Sequence, residues 1–284
     1  MASLKAIRKR ISSVRNTQQI TKAMKMVAAA KLRRAQEAVV RSRAYTDKLG
    51  EVVAGLASEA SLREHQLVRV RAPEARVLLL LLTADRGLCG GFNANLIRQC
   101  EAFRTANGRT ASLAIVGRKG HDYYKRRSVA IREYYAGVAG MAPVDVARDI
   151  VKRSIEPFVG DEVDAVYVLY SHFRSALSQV PTVERLLPIE PPPLTGAARE
   201  YLYEPSRGVV IEDLLPRYIE TKVFQAVLEA IASEHGARMT AMESATNNAS
   251  EMIERLTLEM NRARQATITK ELMEIVGGAE ALKG

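Results

Sequence analysis

Proline is confined to the middle of this chain. All ten prolines lie between Pro73 and Pro216, and the sequence on either side contains none. An interior proline costs a helix about 3 kcal/mol, so a long proline-free segment rich in Ala, Leu, Met, Glu, Lys and Arg favours one continuous helix. The sequence therefore predicts a first long helix over residues 3–60 and a second over residues 216–276, with a region of different character between them.

The first proline-free segment carries a heptad-like seam with polar breaks. Steps of four and three residues from Ile7 reach, in order, Ile11, Val14, Gln18, Thr21, Lys25, Ala28, Leu32, Ala35, Val39, Ser42, Thr46, Leu49, Val53 and Leu56. Between Gln18 and Lys25 the apolar residues run one position out of step, through Ile20, Met24 and Val27. We interpret this as a local shift of the apolar stripe.

The second proline-free segment has a seam of small and flexible side chains. The same stepping from Phe224 reaches mostly Ala and Met, including Met242 and Met252. Small seam residues let two helices approach closely. Because the first helix enters the middle region and the second leaves it, we predict an antiparallel pair within one chain. We expect the second helix to outrun the first by about 5 to 10 residues, with Gly277 and Gly278 ending it.

The middle region alternates strands and helices. Unbroken apolar runs predict buried strands at residues 76–83, 111–116 and 165–171, and helical spacing predicts helices at 93–106 and 144–158. This alternation is typical of a βαβ arrangement with a mostly parallel sheet. Prolines become frequent after residue 180, which indicates a stiff extended linker or a sheet edge.

Together these patterns predict the fold class and the division of the chain. The fold class is α/β, with a long antiparallel coiled coil of the N- and C-terminal helices plus a central Rossmann-like α/β domain. The predicted division is residues 1–72 for the first helix, 73–208 for the central domain and 209–284 for the second helix.

Length and composition exclude membrane-spanning and secreted classes. The longest apolar run, Val77 to Leu82, is far shorter than the roughly 20 residues of a membrane span. The first residues do not have the pattern of a signal peptide. Two cysteines, Cys89 and Cys100, make neither a disulfide framework nor a metal site. We expect a soluble chain with reduced thiols.

Basic residues are concentrated in the first quarter of the chain. Residues 1–72 hold 16 basic and 5 acidic side chains, whereas residues 209–284 hold 8 and 12. This asymmetry predicts an acidic partner, which could be nucleic acid, an anionic membrane or an acidic protein surface; a merely solvated basic face is the simpler alternative. Ten basic residues precede the first acid, Glu37, as in a transit peptide. The seam continues past that point, which argues against a cleaved segment.

Motifs for chemistry are sparse. A glycine-containing loop at residues 84–93 follows the first strand, where an open α/β sheet would bind a phosphate. However, Gly87, Gly90 and Gly91 do not fit G-x-G-x-x-G, and the sequence has no P-loop. The four histidines lack metal-ligand spacing, and the Ser171-His172 pair lacks a nucleophile elbow. We predict no catalytic residue, no cofactor and no metal.

Three blocks of sequence carry a resemblance to a known family. They are residues 16–32 (NTQQITKAMKMVAAAKL), residues 85–93 (DRGLCGGFN) and residues 263–279 (ARQATITKELMEIVGGA). All three resemble the gamma subunit of F-type ATP synthases of the bacterial type. The resemblance covers the whole chain in the same order.

This resemblance implies a rotary central stalk rather than a catalyst. It implies a helical pair inside a ring of alpha and beta subunits, with the α/β domain on the membrane c-ring. Rotation of that ring, driven by protons, is then coupled to conformational change at the catalytic beta subunits. The implied partners are the alpha, beta and epsilon subunits and the c-ring, without nucleic acid. The implied location is the cytoplasmic face of the bacterial cell membrane, although a processed mitochondrial chain is left open.

The resemblance also assigns partner-binding residues, in three sets. A basic collar on the first helix comprises Lys9, Arg10, Lys22, Lys25, Arg33 and Arg34, with Met24 in the same block. A catch on the second helix comprises Arg238, Arg264 and Gln265. An apolar tip comprises Ile268, Leu272, Ile275 and Val276.

Two hypotheses from other classes stay open at this point. One is a nucleotide-dependent enzyme built on the α/β domain, which would bind ATP or NAD. The other is a basic coiled-coil module for nucleic acid, whose affinity for DNA would fall steeply with salt. The basic residues near the N-terminus lie all round the helix rather than along one face, which does not favour DNA binding.

Overall fold

In the described part of the chain, the fold consists of two long helices and a five-stranded sheet with three shorter helices. The computed structural model describes residues 4–56, 62, 64–106, 110–137, 141–192, 203–204 and 206–281. In chain order the elements are α1 (Leu4–Gly55), β1 (Arg76–Leu82), α2 (Phe92–Thr105), β2 (Thr110–Val116), α3 (Arg118–Tyr124), β3 (Ile131–Tyr135), α4 (Pro143–Val159), β4 (Ala165–Phe173), β5 (Gln179–Leu187) and α5 (Arg207–Ala281). They form two compact units: residues 1–27 with 239–284 (unit 1), and residues 28–238 (unit 2).

The sheet of unit 2 has the strand order β3-β2-β1-β4-β5. The first four strands are parallel, and β5 pairs antiparallel with β4 at one edge. The central strand β1 is buried along its whole apolar run, because helices cover both faces of the sheet. The predicted parallel α/β arrangement is therefore confirmed.

Alternate residues of β1 belong to two separate cores. Leu78 and Leu80 pack in a cluster with side chains of α1, α4 and α5. Leu79 and Leu81 pack on the opposite face, with side chains of α2 and α3. The two-residue period of a strand thus divides one apolar run between two helical layers.

Two elements were not predicted, namely α3 and β3. The short strand β3 lies at the sheet edge, where Arg132 and Glu133 form ion pairs with Glu162 and Arg153. Charged edge residues hide the apolar pattern of a strand. The segment after residue 180 is an edge strand, as one of the two predicted alternatives stated, because an edge tolerates proline within a strand.

The second long helix is longer than predicted at both ends. It begins at Arg207, before Pro216, and continues through Gly277 and Gly278 to Ala281. The prediction that these glycines end the helix is wrong, since a glycine in an exposed helix interior costs only about 1 kcal/mol. Pro216 is tolerated because its neighbours on α5, Leu215 and Ile219, are buried in the core. The first helix is confirmed from Leu4 to Gly55, and residues 57–60 lie outside the described residues.

Unit 1 contains an antiparallel contact between α1 and α5, as predicted. Cross-helix hydrogen bonds join Gln18 to Ser250, Thr21 to Thr246 and Lys25 to Glu243. The residue numbers of each pair add to 267 or 268, so a residue i of α1 lies opposite residue 268−i of α5. A small apolar core around Ile7, Ile11 and Leu256 continues the contact.

Two details of the predicted pair are corrected. The apolar stripe does not shift in α1, since Ile20 and Val27 are 60% and 57% exposed. The polar residues Gln18, Thr21 and Lys25 occupy the seam and contact α5 instead. In α5 the predicted seam residue Met252 is exposed, and Ile253 packs instead. By the pairing rule Leu4 lies level with residue 264, so α5 continues for roughly 17 residues, about 25 Å, beyond α1. The predicted overrun was too short, and continuation of the helix through the glycines accounts for five of the additional residues.

Membrane-spanning helices and metal sites were searched for among the described residues. Among them, no helix is long and apolar enough to cross a membrane. No group of three or more His, Cys, Asp or Glu side chains is placed to hold a metal ion in the described part of the chain. The three-part division of the chain at residues 72 and 208 stays a prediction.

Candidate functional site

Within unit 2, α5 crosses the carboxyl ends of β4 and β1, and this crossing forms a polar junction. Its centre is Glu229, which is fully buried in α5. The Glu229 carboxylate accepts hydrogen bonds from Arg43 Nε of α1 at 3.1 Å and from the backbone N–H of Phe173 at 3.3 Å. It also contacts Nδ1 of His172. One carboxylate therefore joins α1, β4 and α5.

Further bonds close this junction. Arg43 donates to the carbonyl oxygen of Phe173 at 3.1 Å, and Ser233 donates from Oγ to the carbonyl oxygen of Ser171 at 2.8 Å. The end of β4 thus has its backbone groups satisfied by side chains of both long helices. Since an unpaired buried charge is costly, the buried Glu229 requires these partners.

The second part of the crossing involves the loop after β1. Arg238 donates from its guanidinium to the carbonyl oxygens of Arg86 at 3.5 Å and Gly87 at 3.3 Å. On another side of α5, a Cβ placed on Gly236 would lie 3.4 Å from Ala176, in the loop after β4. The helix therefore fits between the two loops.

This location is where an open α/β sheet binds ligands. The chain leaves β1 through α2 towards β2 on one side, and it leaves β4 by a turn into β5 on the other side, so a crevice forms between the carboxyl ends of β1 and β4. In this chain α5 fills the crevice with its own side chains and bonds the loop carbonyls. Two backbone N–H donors at this edge, those of Ala84 and Phe173, are already bonded to Asn93 and Glu229, which does not favour the nucleotide-dependent hypothesis.

The loop at residues 84–93 is held by its own side chains. Asn93 accepts a hydrogen bond from the backbone N–H of Ala84 at 3.0 Å and donates to Sγ of Cys89 at 3.3 Å. Leu88 adopts a positive φ of 62° and its side chain is 64% exposed. Burial raises the pKa of the Cys89 thiol, so the thiol stays protonated at neutral pH.

Electrostatics around Arg238 favour the internal contacts. Its side chain is only 12% exposed and forms an ion pair with Glu234 at 2.7 Å. Burial raises the pKa of Glu234, and the charge of Arg238 opposes this shift. Burial, followed by the charges of Arg238 and Lys31, lowers the pKa of His235 to about 4, so His235 is neutral at physiological pH.

The residues predicted to bind partners lie on both long helices, and most of them are exposed. Lys9, Arg10, Lys22 and Arg34 are exposed, and Met24 is half-buried. Arg33 is exposed and pairs with Glu37. Lys25 differs, since it forms the 2.7 Å ion pair with Glu243 across the helical pair. Arg264 and Gln265 are exposed on α5, and the four tip residues are 49 to 71% exposed.

Sequence reasoning missed the junction. Arg43, His172 and Glu229 were not among the predicted site residues. One signal was present: Glu229 is the single acid within an otherwise apolar stretch of α5 at residues 223–232, apart from Gln225. A lone acid in such a stretch requires a buried partner.

Comparisons with known proteins decide the family. A family model described as ATP synthase matches residues 3–282. The ATP synthase gamma chain of Geobacter metallireducens is 51% identical over 289 residues, with both chains fully covered. The chain belongs to the gamma-chain family of ATP synthases. The gamma chain of Pelotomaculum thermopropionicum is 50% identical over 285 residues, again over the full length of both chains.

Solved structures agree with this family. The central stalk and c-ring structure of Tetrahymena thermophila mitochondrial ATP synthase contains a chain with TM-score 0.61 and 26% identity, covering 80% of this chain and 99% of that one. A chain of the Euglena gracilis mitochondrial ATP synthase has the same fold, with TM-score 0.70 and 21% identity, covering 98% and 94%.

Membership of the gamma family confirms several predictions. The fold class, the role of central-stalk rotor subunit and the non-catalytic character are confirmed. This gamma-family chain is a partner of other ATP synthase subunits and is peripheral to a membrane complex. Its individual contacts are the subject of the proposals below.

Proposed function

We propose that unit 1 of this chain turns inside a ring of alpha and beta subunits, and that unit 2 binds the epsilon subunit and the c-ring at the cytoplasmic face of the membrane. The observation that carries this proposal is the tip of α5. Beyond the level of Leu4, an apolar stripe lies exposed on a single helix, and no described residue of the chain covers it. Such a stripe requires a partner from outside the chain.

The basic collar is proposed to meet acidic surfaces of the beta subunits. Exposed ion pairs contribute only about 0 to 1 kcal/mol each. Weak pairs suit a rotating surface, because a shaft that bonded strongly at one angle would stop there. A rod that presents a different face to each of three sites shifts the conformational equilibrium of each site differently. Lys25 contributes less to this surface, since Glu243 already pairs with it.

The catch is proposed to consist of Arg264 and Gln265, together with Arg238. Arg264 and Gln265 are exposed at the level where the helical pair ends, so they are available to carboxylate and hydroxyl groups of a beta subunit. The arginine offers a planar set of donors that lysine cannot reproduce. The Arg238 guanidinium is paired with Glu234 in this structure. Arg238 can belong to the catch only if a carboxylate of a partner subunit takes the place of Glu234.

The first test changes the catch while keeping the complex. We expect the double variant Arg264→Ala, Gln265→Ala to lower ATPase turnover about tenfold, which corresponds to losing one or two charge-assisted hydrogen bonds. The complex is purified through a tag on this chain, and it should still contain about three alpha, three beta and one epsilon subunits. Turnover is then measured per assembled complex.

The control for the catch is Arg262→Ala. Arg262 is exposed two residues away on the same helix and is outside the proposed set. It should leave turnover within about a factor of two, because isolated surface charges contribute little. Normal turnover of the double variant in a fully assembled complex would refute the catch.

The apolar tip is tested by two truncations. Four apolar side chains contribute about 1.5 to 3 kcal/mol each when fully buried, so removing residues from Ile268 onward should lower the yield of assembled complex at least tenfold. Removing residues from Gly277 onward keeps the stripe and should leave yield within about a factor of two. Yield and turnover are measured for both. If the chain that lacks residues from Ile268 onward assembled at full yield, the proposed binding of the tip by surrounding subunits would be excluded.

A further inference from the structure

The chain passes between its two compact units at two points, after residue 27 on α1 and after residue 238 on α5. Torque that is exchanged along the chain between unit 1 and unit 2 is therefore carried by these two helices. The final stretch of α5 before the second point, residues 229–238, contains the junction around Glu229 and the contacts of Arg238. The way unit 2 holds this stretch decides how far α5 can twist there.

Before this stretch, the side chains of α5 in the core of unit 2 are apolar. They are Ile211, Leu215, Tyr218, Ile219, Val223, Ala226 and Val227. Apolar contact has no preferred direction, so its free energy changes little when a side chain slides by a small distance. Such packing keeps the helix against the sheet, but directional bonds set the rotation of the helix about its own axis more sharply.

Within residues 229–238, one face of α5 is bonded to the end of β4. Glu229, Ser233 and Gly236 are spaced by four and three residues, so they lie on the same face. Glu229 accepts a hydrogen bond from the backbone N–H of Phe173 at 3.3 Å. Ser233 donates to the carbonyl oxygen of Ser171 at 2.8 Å. Gly236 lets this face approach the loop after β4 closely.

The opposite face of α5 is bonded to the loop after β1. Arg238 follows Glu229 by nine residues, which at about 3.6 residues per turn places it two and a half turns further, on the other side of the helix. Its guanidinium donates to the carbonyl oxygen of Gly87 at 3.3 Å and is paired with Glu234 at 2.7 Å. The helix is therefore bonded from two opposite sides.

Bonds on two opposite sides oppose rotation of α5 about its own axis. At a radius of about 5 Å, a rotation by roughly 20° moves a side-chain atom by about 1.7 Å. A hydrogen bond that is lengthened by this distance is lost. The two faces move in opposite directions during such a rotation, so no shift of the whole helix restores both sets of bonds.

The same junction includes α1. Arg43 donates from Nε to the Glu229 carboxylate at 3.1 Å and from its guanidinium to the carbonyl oxygen of Phe173 at 3.1 Å. Glu229 is fully buried, and a buried charge that loses its partners is costly. Both helices through which the chain reaches unit 1 are thereby bonded to the end of one strand.

We propose that Glu229, Ser233 and Arg238 form a torsional clamp, which makes α5 turn together with unit 2 when torque passes along the chain. They act as positioning residues, since they fix the angle of the helix about its own axis. The proposal rests on the proposed function, because only a chain that rotates inside a ring carries torque.

The test measures the torsional stiffness of the chain in the assembled complex. The ring of alpha and beta subunits is fixed to a surface, and a bead is attached to unit 2 through a cysteine introduced at Ala102, which is exposed on α2. The native Cys89 and Cys100 are buried in unit 2, so they do not bind the bead. With a non-hydrolysable ATP analogue bound to the ring, the variance of the bead angle is inversely proportional to the stiffness.

The variant Glu229→Gln, Ser233→Ala weakens one side of the clamp. Glutamine keeps the shape of the side chain but does not neutralise Arg43, and alanine removes the bond to Ser171. Arg238 is left unchanged, because it also belongs to the proposed catch. We expect the angular variance to increase at least about twofold, because directional bonds are lost on one face of the helix.

Two controls separate torsional stiffness from stability. Gly117→Ala destabilises unit 2 at a position outside both long helices, so it should leave the angular variance at the parent level. Glu220→Ala removes a solvated ion pair from α5 outside the clamp, and it should also leave the variance unchanged. If the double variant does not assemble, Ser233→Ala alone takes its place, since it removes one hydrogen bond and no charge.

The outcomes distinguish the clamp from the proposed function. A parent bead that does not turn when ATP is supplied would overturn both. A parent bead that turns, with equal variance in the parent and the double variant, would overturn the clamp alone. The clamp would also be overturned if Gly117→Ala raised the variance as much as the double variant does, because stiffness would then follow stability. An increase that is confined to the double variant would support the clamp.

Discussion

Replacing Glu229 with alanine should destabilise the chain by about 3 kcal/mol. The substitution leaves Arg43 and the backbone N–H of Phe173 without their buried acceptor. Losses of this kind reach about 5 kcal/mol, and we expect the lower part of the range because Arg43 retains contact with solvent. For a chain of this length the thermal midpoint should fall by roughly 6 to 12 °C. Urea and thermal unfolding of the purified chain measure the effect.

A matched control for this prediction is Glu220→Ala on the same helix. Glu220 forms an ion pair with Arg148 at 3.4 Å, but both side chains are solvated. Its loss should destabilise the chain by less than about 1 kcal/mol. If the Glu229 and Glu220 variants lose the same stability within error, the buried Glu229 carboxylate does not stabilise the junction.

Gly117→Ala should have an effect of similar size, by a different mechanism. Gly117 has φ +88°, and a Cβ there would lie 2.1 Å from the carbonyl oxygen of Thr83. The conformation is strained for alanine by about 1 to 2 kcal/mol, and displacement of the β1 end adds about 1 to 3 kcal/mol. We expect a total loss of about 2 to 5 kcal/mol in the free energy of unfolding, measured by urea titration.

The control for this substitution is Gly137→Ala. Gly137 has φ +70°, but a Cβ there would meet no atom within 4 Å. It should show the conformational strain alone, about 1 to 2 kcal/mol. Equal losses for the two variants would mean that the close approach between β1 and the end of β2 relaxes without resistance.

Regular elements could be predicted from local pattern. The apolar run of β1 and the long proline-free segments carry strong signals, because burial and helix propensity act on neighbouring residues. The ends of the elements were harder to predict from the sequence. The glycines at 277 and 278 resemble a C-cap, but their conformation is set by the helix that continues through them.

The polar junction around Glu229 and the hydrogen bonds between α1 and α5 could not be predicted from local pattern. Arg43 and Glu229 are 186 residues apart, and Gln18 and Ser250 are 232 apart. A local pattern gives each of these residues a place on its own helix, but not the residue opposite. Gln18, Thr21 and Lys25 stood in the predicted seam as breaks, and only the partner helix shows that they are contacts.

The position of α5 in the crevice of the sheet has a consequence for how the chain responds to nucleotides. A β1–β4 crevice that was open would offer backbone groups to phosphates, and its occupancy would follow the concentration of nucleotides. Here the backbone N–H of Phe173 donates to Glu229, and the carbonyl oxygens of Gly87 and Ser171 accept from Arg238 and Ser233, so all three groups are bonded within the same chain. Because these contacts are made within one chain, we expect the stability of the chain to be independent of the ATP and ADP concentrations around it.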